Sequence, residues 1–456
     1  MKIHLLLASA GMLFFVACDQ VGRDSGASDE AVLAPEAPQD VWLADFAAMQ
    51  RFAELAGGAE EAEKFDDAAI YYERAFVASD KIPSPTGLVF GPQSAVSYVK
   101  AGSPDDALRL LEAAAEKGWT YAESIEAAEE FATLRDADRF KAAVAKMRAN
   151  QDAFAESHRD PDTAKLIFDD VERFWAAYDL ASKETSKSKK AAILRKHYLG
   201  PGTPGLIDYH RIKTGTMEQF VERLEESPGY YDGIRERTLM AMEFETDIRD
   251  GLRRFVDIYP EASVPDVTFV IGRLNSGGTA GPTGMLIGLD VWSWTEGVPL
   301  DGISEGFQQV VKNLDLNSLP FIVVHEHIHA LQQYSGEPTV LYAALIEGSA
   351  DFLAGLAMPE ADKPHYYKWG LEREEMIWRR FQEEMDTKNI QNWSGNNGQV
   401  EDEDWYADLG YFIGARICEA YYEQAEDKSK AIRDLLFVSE PNAILKASGY
   451  AERFDD

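Results

Sequence analysis

Cysteine is nearly missing from this chain, with two in 456 residues, so a disulfide-stapled scaffold is excluded. Cys18 falls in an N-terminal leader, and Cys418 stands alone in an apolar helical stretch with no base nearby. Neither an internal disulfide nor a thiol nucleophile is expected. Positive charge is also short: 45 Lys and Arg face 79 Asp and Glu, a formal net charge of -34. That balance argues against a nucleic-acid partner and against broad attraction to anionic lipid. The one basic stretch, Lys187 to Lys196, reads as a solvated helix face or loop. Gly277-Gly278 has neither a G-x-G-x-x-G pattern nor a P-loop lysine beside it, which removes the phosphate cradle. Apolar content is not short. With 45% hydrophobic residues and 19 tyrosines the chain can bury more than one core, and two or three folded domains are expected.

Met1-Lys2 and the apolar run Ile3 to Ala17 make a short export signal, too short to span a bilayer stably. Phe15-Val16-Ala17-Cys18 resembles a bacterial lipobox, with Ala17 fitting the pattern and Phe15 replacing the usual aliphatic residue. The resemblance implies lipidation of Cys18, an address in the bacterial cell envelope, and membrane contact through that anchor only. Ordinary signal cleavage nearby, giving a free soluble chain, is the other reading. Residues 19–40, rich in Asp, Glu, Ser, Gly, Ala and Pro, read as a flexible acidic linker.

Residues 41–150 carry an internal repeat. Asp66-Asp67-Ala68 to Tyr72-Glu73-Arg74-Ala75 matches Asp105-Asp106-Ala107 to Leu111-Glu112-Ala113-Ala114 at an offset of 39. This resembles two tetratricopeptide units of about 34 residues, the Pro-rich stretch Ile82 to Pro92 lengthening the connection. Such hairpins bind peptides, so a protein partner for this module is one expectation. A structural cap on the following domain, closed by Phe131 to Met147, is the other.

The most informative stretch is His325-Glu326-His327-Ile328-His329, an H-E-x-x-H. Ser318 is a candidate N-cap, Pro320 suits the first turn, and the apolar pattern runs from Phe321 through Ile328 and Leu331 to a stop at Gly336, which favours a buried helix over a β-branched strand. On a helix, residues four apart stand about 40° apart on one face, so His325 and His329 can hold one Zn²⁺ between them. Glu326 lies beside them, placed to take a proton from a metal-bound water. His327, about 200° around from His325, points away from that face and reads as structural. A second helix beginning at Glu337-Pro338 forms an antiparallel hairpin with the first and brings Glu347, 17 residues beyond His329, back to the histidines. Asp351, one turn further, is placed to accept the outer N–H of a ligating histidine, though it also reads as a surface carboxylate.

H-E-x-x-H followed by E-x-x-x-D on a second helix resembles the gluzincin, or thermolysin-like, metallopeptidases, and more narrowly the bacterial family of predicted Zn-dependent proteases. Asp266 to Arg273 with the Asn275-to-Thr279 loop, Glu347 to Asp351, and Asp408 to Gly414 carry the narrower likeness. The resemblance implies His325, His329 and Glu347 as zinc ligands, Glu326 as general base, Asp351 as the partner behind a ligand, and a peptide or protein substrate. It implies a mainly α fold with a small β-sheet (α+β), the N-terminal α-helical repeat module being followed by a zincin-like catalytic domain over residues 160–456.

Peptide hydrolysis also needs a donor for the developing oxyanion. Tyr411, between Gly410 and Gly414, is the first candidate, ahead of Tyr406, His365 and Arg416, although a core or interface tyrosine is the more ordinary reading. Val267 to Ile271 and Met285 to Leu289, around a Gly/Thr/Pro-rich stretch, read as a hairpin with a long loop beside the active-site helix, a candidate edge for an extended substrate. The function expected is an exported, lipid-anchored zinc metallopeptidase. The alternative is a catalytically inactive zinc-binding or repeat-based peptide-binding scaffold of the cell envelope.

Overall fold

The computed structural model describes residues 41–332, 338–396, 400 and 405–454. Cys18, the 19–40 linker, Gly336 and Glu337 therefore lie outside the described residues.

The chain opens with helices α1 (Val41–Glu61), α2 (Phe65–Ala78), α3 (Phe90–Lys100), α4 (Pro104–Glu116), α5 (Ala122–Ala127) and α6 (Asp138–Ser157). The two matching stretches of sequence occupy equivalent places, α2 and α4, each the second helix of a pair. Pro104 starts α4 where no backbone donor is needed, and Asp105 and Asp106 complement its first turn. Ala107, Leu108, Leu111, Ala114 and Ala115 then form one buried face, their small side chains allowing close packing. Phe131, Phe140 and Met147 close this layer.

A second group of helices follows: α7 (Asp169–Ala181), α8 (Lys187–Leu194), α9 (Pro204–Tyr209), α10 (Met217–Glu226), α11 (Pro228–Met240) and α12 (Glu245–Ile258). Thr216 and Gln219 cap α10 reciprocally in a capping box. In α12 the buried residues Ile248, Gly251, Leu252 and Phe255 recur at the i, i+3, i+4, i+7 spacing of one helix face.

The sheet comprises β1 (Leu166–Ile167), β2 (Val267–Val270), β3 (Gly278–Gly281) and β4 (Gly284–Gly288), in the order β1-β2-β4-β3. The expected hairpin is corrected here. β2 and β4 pair in parallel, with Val267 opposite Met285, and the tight antiparallel pair is β3 with β4. After β2 the Asp290 carboxylate accepts from the N–H groups of Gly272, at 2.8 Å, and Leu274, at 2.7 Å. Leu274 takes a left-handed φ of 58°. The chain is thus carried across to the far edge of the sheet before it returns. A parallel pair needs such a crossing, whereas a hairpin does not.

The chain continues through α13 (Leu289–Trp292) and α14 (Glu305–Asn313) to α15 (Leu319–Leu331) and α16 (Val340–Ala357). Both long helices are buried on nearly every side, the mark of central helices. α16 is long and apolar enough to cross a membrane by composition, yet 89% of it is buried within the fold. Two expected helix starts are corrected. Ser318 stands at the N-cap of α15 but makes no side-chain cap, because a 3₁₀ turn over Leu316–Ser318, capped by Asp315, runs directly into the helix. α16 begins at Val340 with Thr339 as its cap, the Thr339 hydroxyl accepting from the Tyr342 N–H at 3.2 Å.

The C-terminal part supplies α17 (Tyr366–Leu371), α18 (Glu374–Glu384), α19 (Leu409–Gln424), α20 (Lys428–Phe437) and α21 (Pro441–Ser448). The architecture is α+β, mainly helical around a small mixed sheet. One core runs without interruption from Trp42 in α1 to Leu436 in α20, and a second gathers Trp378, Trp393, Phe412 and Tyr450 around α16 and α19. The N-terminal layer therefore shares its core with the sheet.

Candidate metal centre

α15 and α16 lie side by side, and their facing turns carry the site. His325 Nε2 and His329 Nε2 are 2.9 Å apart, and Glu347 Oε2 is 3.1 Å from the second and 3.7 Å from the first. One atom from each of the three residues falls within 4.8 Å of the others, the spacing of a metal-holding group.

What stands behind each ligand decides what the group can hold. Asp351 Oδ1 lies 2.9 Å from His325 Nδ1, and Gln332 Oε1 lies 2.7 Å from His329 Nδ1. Both partners are acceptors, so each Nδ1 carries the proton and each Nε2 presents a bare lone pair. Two lone pairs and a carboxylate oxygen then converge with no donor among them. Such a cluster calls for a cation, and imidazole with carboxylate suits zinc. A proton is the competitor. Burial alone would lower the His329 pKa, but the adjacent Glu347 carboxylate overrides burial and raises it to about 9.

Gln332 is the member that the sequence reading missed, although it sits three residues after His329 and therefore on the same helix face. Its amide N–H groups also donate to Ile346 O at 2.7 Å and Ser349 Oγ at 2.9 Å, tying the end of α15 to α16. Tyr366 was missed as well. Its hydroxyl donates to Asp351 Oδ2 at 2.5 Å. No periodic signal could reveal it, because it reaches the site from α17, beyond the end of α16.

The other expected residues fall as follows. Glu326 is buried beside the triad, under the edge strand β3; a Cβ placed on Gly278 would stand 2.6 Å from Glu326 Oε1, so a larger residue there would displace the Glu326 carboxylate. That oxygen has no protein hydrogen-bond partner. His327 is turned away, its Nε2–H donating to Ser263 O at 2.7 Å, and burial holds its pKa down at about 4. Tyr411 does reach the site, its ring 6.2 Å from that of His325, and burial, then the nearby Glu347 carboxylate, raises its phenol well above the ordinary range. Close helix packing brings it there: α19 crosses α16 where Gly414 meets the Ala344 carbonyl and Gly348 meets the Gly414 backbone, with no space for a Cβ at either glycine. His365 and Tyr406 stack beside Tyr366 and Trp369, while Arg416 pairs with Glu374 at 2.9 Å. Cys418 is buried, and burial pushes its thiol far up, away from any thiolate role.

A family model described as "Gliding motility protein GldB" matches residues 169–452, well over half of the chain, and the chain belongs to that family. No curated protein and no solved structure matches it. This finding corrects the metallopeptidase expectation: the chain is assigned to a gliding-motility family and to no protease family, so the enzyme reading, with its hydrolytic roles for Glu326 and Tyr411, is withdrawn. The physical reason lies in the motif itself. H-E-x-x-H with a later glutamate prescribes donors on facing helix turns, which any protein holding a metal between two helices can use.

Proposed function

We propose that this chain is a non-enzymatic, membrane-anchored protein of the cell envelope, in which His325, His329 and Glu347 hold a zinc ion as a structural clamp between α15 and α16. The gliding-motility family supports the envelope role. The observation that carries the clamp is the convergence of His325 Nε2, His329 Nε2 and Glu347 Oε2 within 4.8 Å, each histidine being held in place through Nδ1 by its own acceptor. Zinc supplies charge neutralisation and a cross-link between two helices. Asp351 and Gln332 orient the imidazoles. Lipidation of Cys18 would hold the folded part at the membrane surface through the 19–40 linker. The helical layer is a surface for a protein partner, with Leu55, Ile70 and Val77 exposed on α1 and α2.

Metal analysis by mass spectrometry on the purified chain lacking residues 1–18 tests the clamp. About one zinc per chain is expected in the wild type and in Glu326→Gln, and none in His325→Ala. A wild type that takes up no zinc after reconstitution would overturn it.

A further inference from the structure

A cavity of about 320 Å³ opens next to His325, bounded by α14, α15 and the segment leading into α17. Its size is that of a site for a small organic ligand. Phe307, Val310, Phe321 and Ile322 supply an apolar wall. The lining also includes the carboxylates of Asp351 and Asp408 and the rings of Tyr366 and Tyr411. The mouth carries exposed Asp315 and Asp362 and a single amine, Lys363. Asp315 is paired with Arg237 at 2.7 Å, which leaves Asp351, Asp362 and Asp408 in the lining against one lysine. The imidazole of His365, also in the lining, is held by burial at a pKa of about 4 and adds no positive charge at neutral pH.

We infer that this cavity binds a primary ammonium carried on a compact apolar group. Asp408 is the carboxylate best placed to receive it. Asp351 already accepts from two side chains, His325 and Tyr366, whereas Asp408 accepts from the backbone N–H groups of Asn396, at 3.3 Å, and Gly395, and has the carboxylates of Glu347 and Asp351 as charged neighbours. Burial pushes its carboxyl up to about 7, a cost of ionisation that a facing ammonium offsets. Asp408 is held in this position by a left-handed backbone, with φ of 60°, at the start of α19. The rings of Tyr366 and Tyr411, also in the lining, add the attraction of aromatic rings for a cation. An anionic ligand of the same shape would meet the carboxylates of Asp351 and Asp408.

The inference concerns a site beside the zinc clamp and does not rest on it, so binding is measured on both chelated and zinc-loaded protein. Isothermal titration compares 3-methylbutylamine with 4-methylpentanoate, and Leu-Gly-Gly with its N-acetylated form, on wild type, Asp408→Asn and Val310→Phe. Asn tolerates the left-handed backbone, and thermal melts of both variants confirm folding. The amine should bind and the acid should not, with Asp408→Asn weakening the amine about tenfold and Val310→Phe blocking it. Binding of Leu-Gly-Gly but not its acetylated form supports the inference and names polypeptide amino termini as the source. Binding of the free amine alone supports it and names small amines. Equal binding of the acid, unchanged amine binding in both folded variants, or no binding of any amine would overturn it.

Discussion

At the scale of single residues, the two imidazoles of the centre show how a protonation pattern is fixed from outside. Asp351 and Gln332 dictate where the ring protons sit, and the bare nitrogens that result define the ligand. Gln332→Leu should leave the fold intact yet weaken zinc about 10- to 100-fold in a competition titration with a chelator; unchanged affinity would show that the Gln332 contact orients nothing. His210 illustrates the opposite case, a histidine kept neutral. Burial, then the guanidiniums of Arg195 and Arg273, lowers its pKa from 6.5 to about 3. A folded value below the unfolded one means that its contribution is complete above pH 6.5 and is lost as the pH falls from there toward 3. In His210→Leu the urea midpoint should therefore fall less steeply than in wild type between pH 7 and 4; parallel profiles would contradict this. Helical periodicity made the His325, His329, Glu347 and Asp351 alignment legible, because all four lie on two adjacent helices. Gln332 carried the same signal. Tyr366 did not, since a loop sets its approach.

At the scale of elements, glycines decide how closely helices meet. A Cβ on Gly414 would stand 1.7 Å from the Ala344 carbonyl, while one on Gly58 of α1 meets nothing within 4 Å. Gly414→Ala should cost about 3 kcal/mol and reduce zinc affinity by shifting Tyr411 away from Glu347, whereas Gly58→Ala should stabilise by about 0.5–1 kcal/mol. Chemical denaturation compares the two, and equal effects would show that the helix crossing is looser than described. The helices were legible from apolar spacing, whereas the caps of α15 and α16 were not: Ser318 makes no cap, and Thr339 does. The sheet was not: β3 reads Gly-Thr-Ala-Gly, with no alternation to mark it as a strand, and nothing in Val267 to Val270 says whether its neighbour runs parallel.

At the scale of the whole molecule, the helical layer and the family-matched region join through a buried polar cluster. Asp208 accepts from the Ser84 hydroxyl and from Thr283 N at 3.0 Å, and Arg211 reaches Thr86 from the same side of the joint. Asp208→Ala leaves the buried Arg211 guanidinium without its neighbouring charge and should cost about 3–5 kcal/mol. With one core shared across the joint, calorimetry of wild type should show the N-terminal layer and the sheet region unfolding together; an early transition confined to the N-terminal layer would contradict that. An α+β fold was legible at this scale. The motif spoke for a metal between helices, and it is the family match, not the spacing of the motif, that overturns the step from metal to hydrolysis. The most direct test is complementation of a strain lacking this chain, using wild type, Glu326→Gln and His325→Ala at matched protein levels. The account expects Glu326→Gln to restore the envelope phenotype fully and His325→Ala to fail. Failure of Glu326→Gln with zinc still bound would contradict the account.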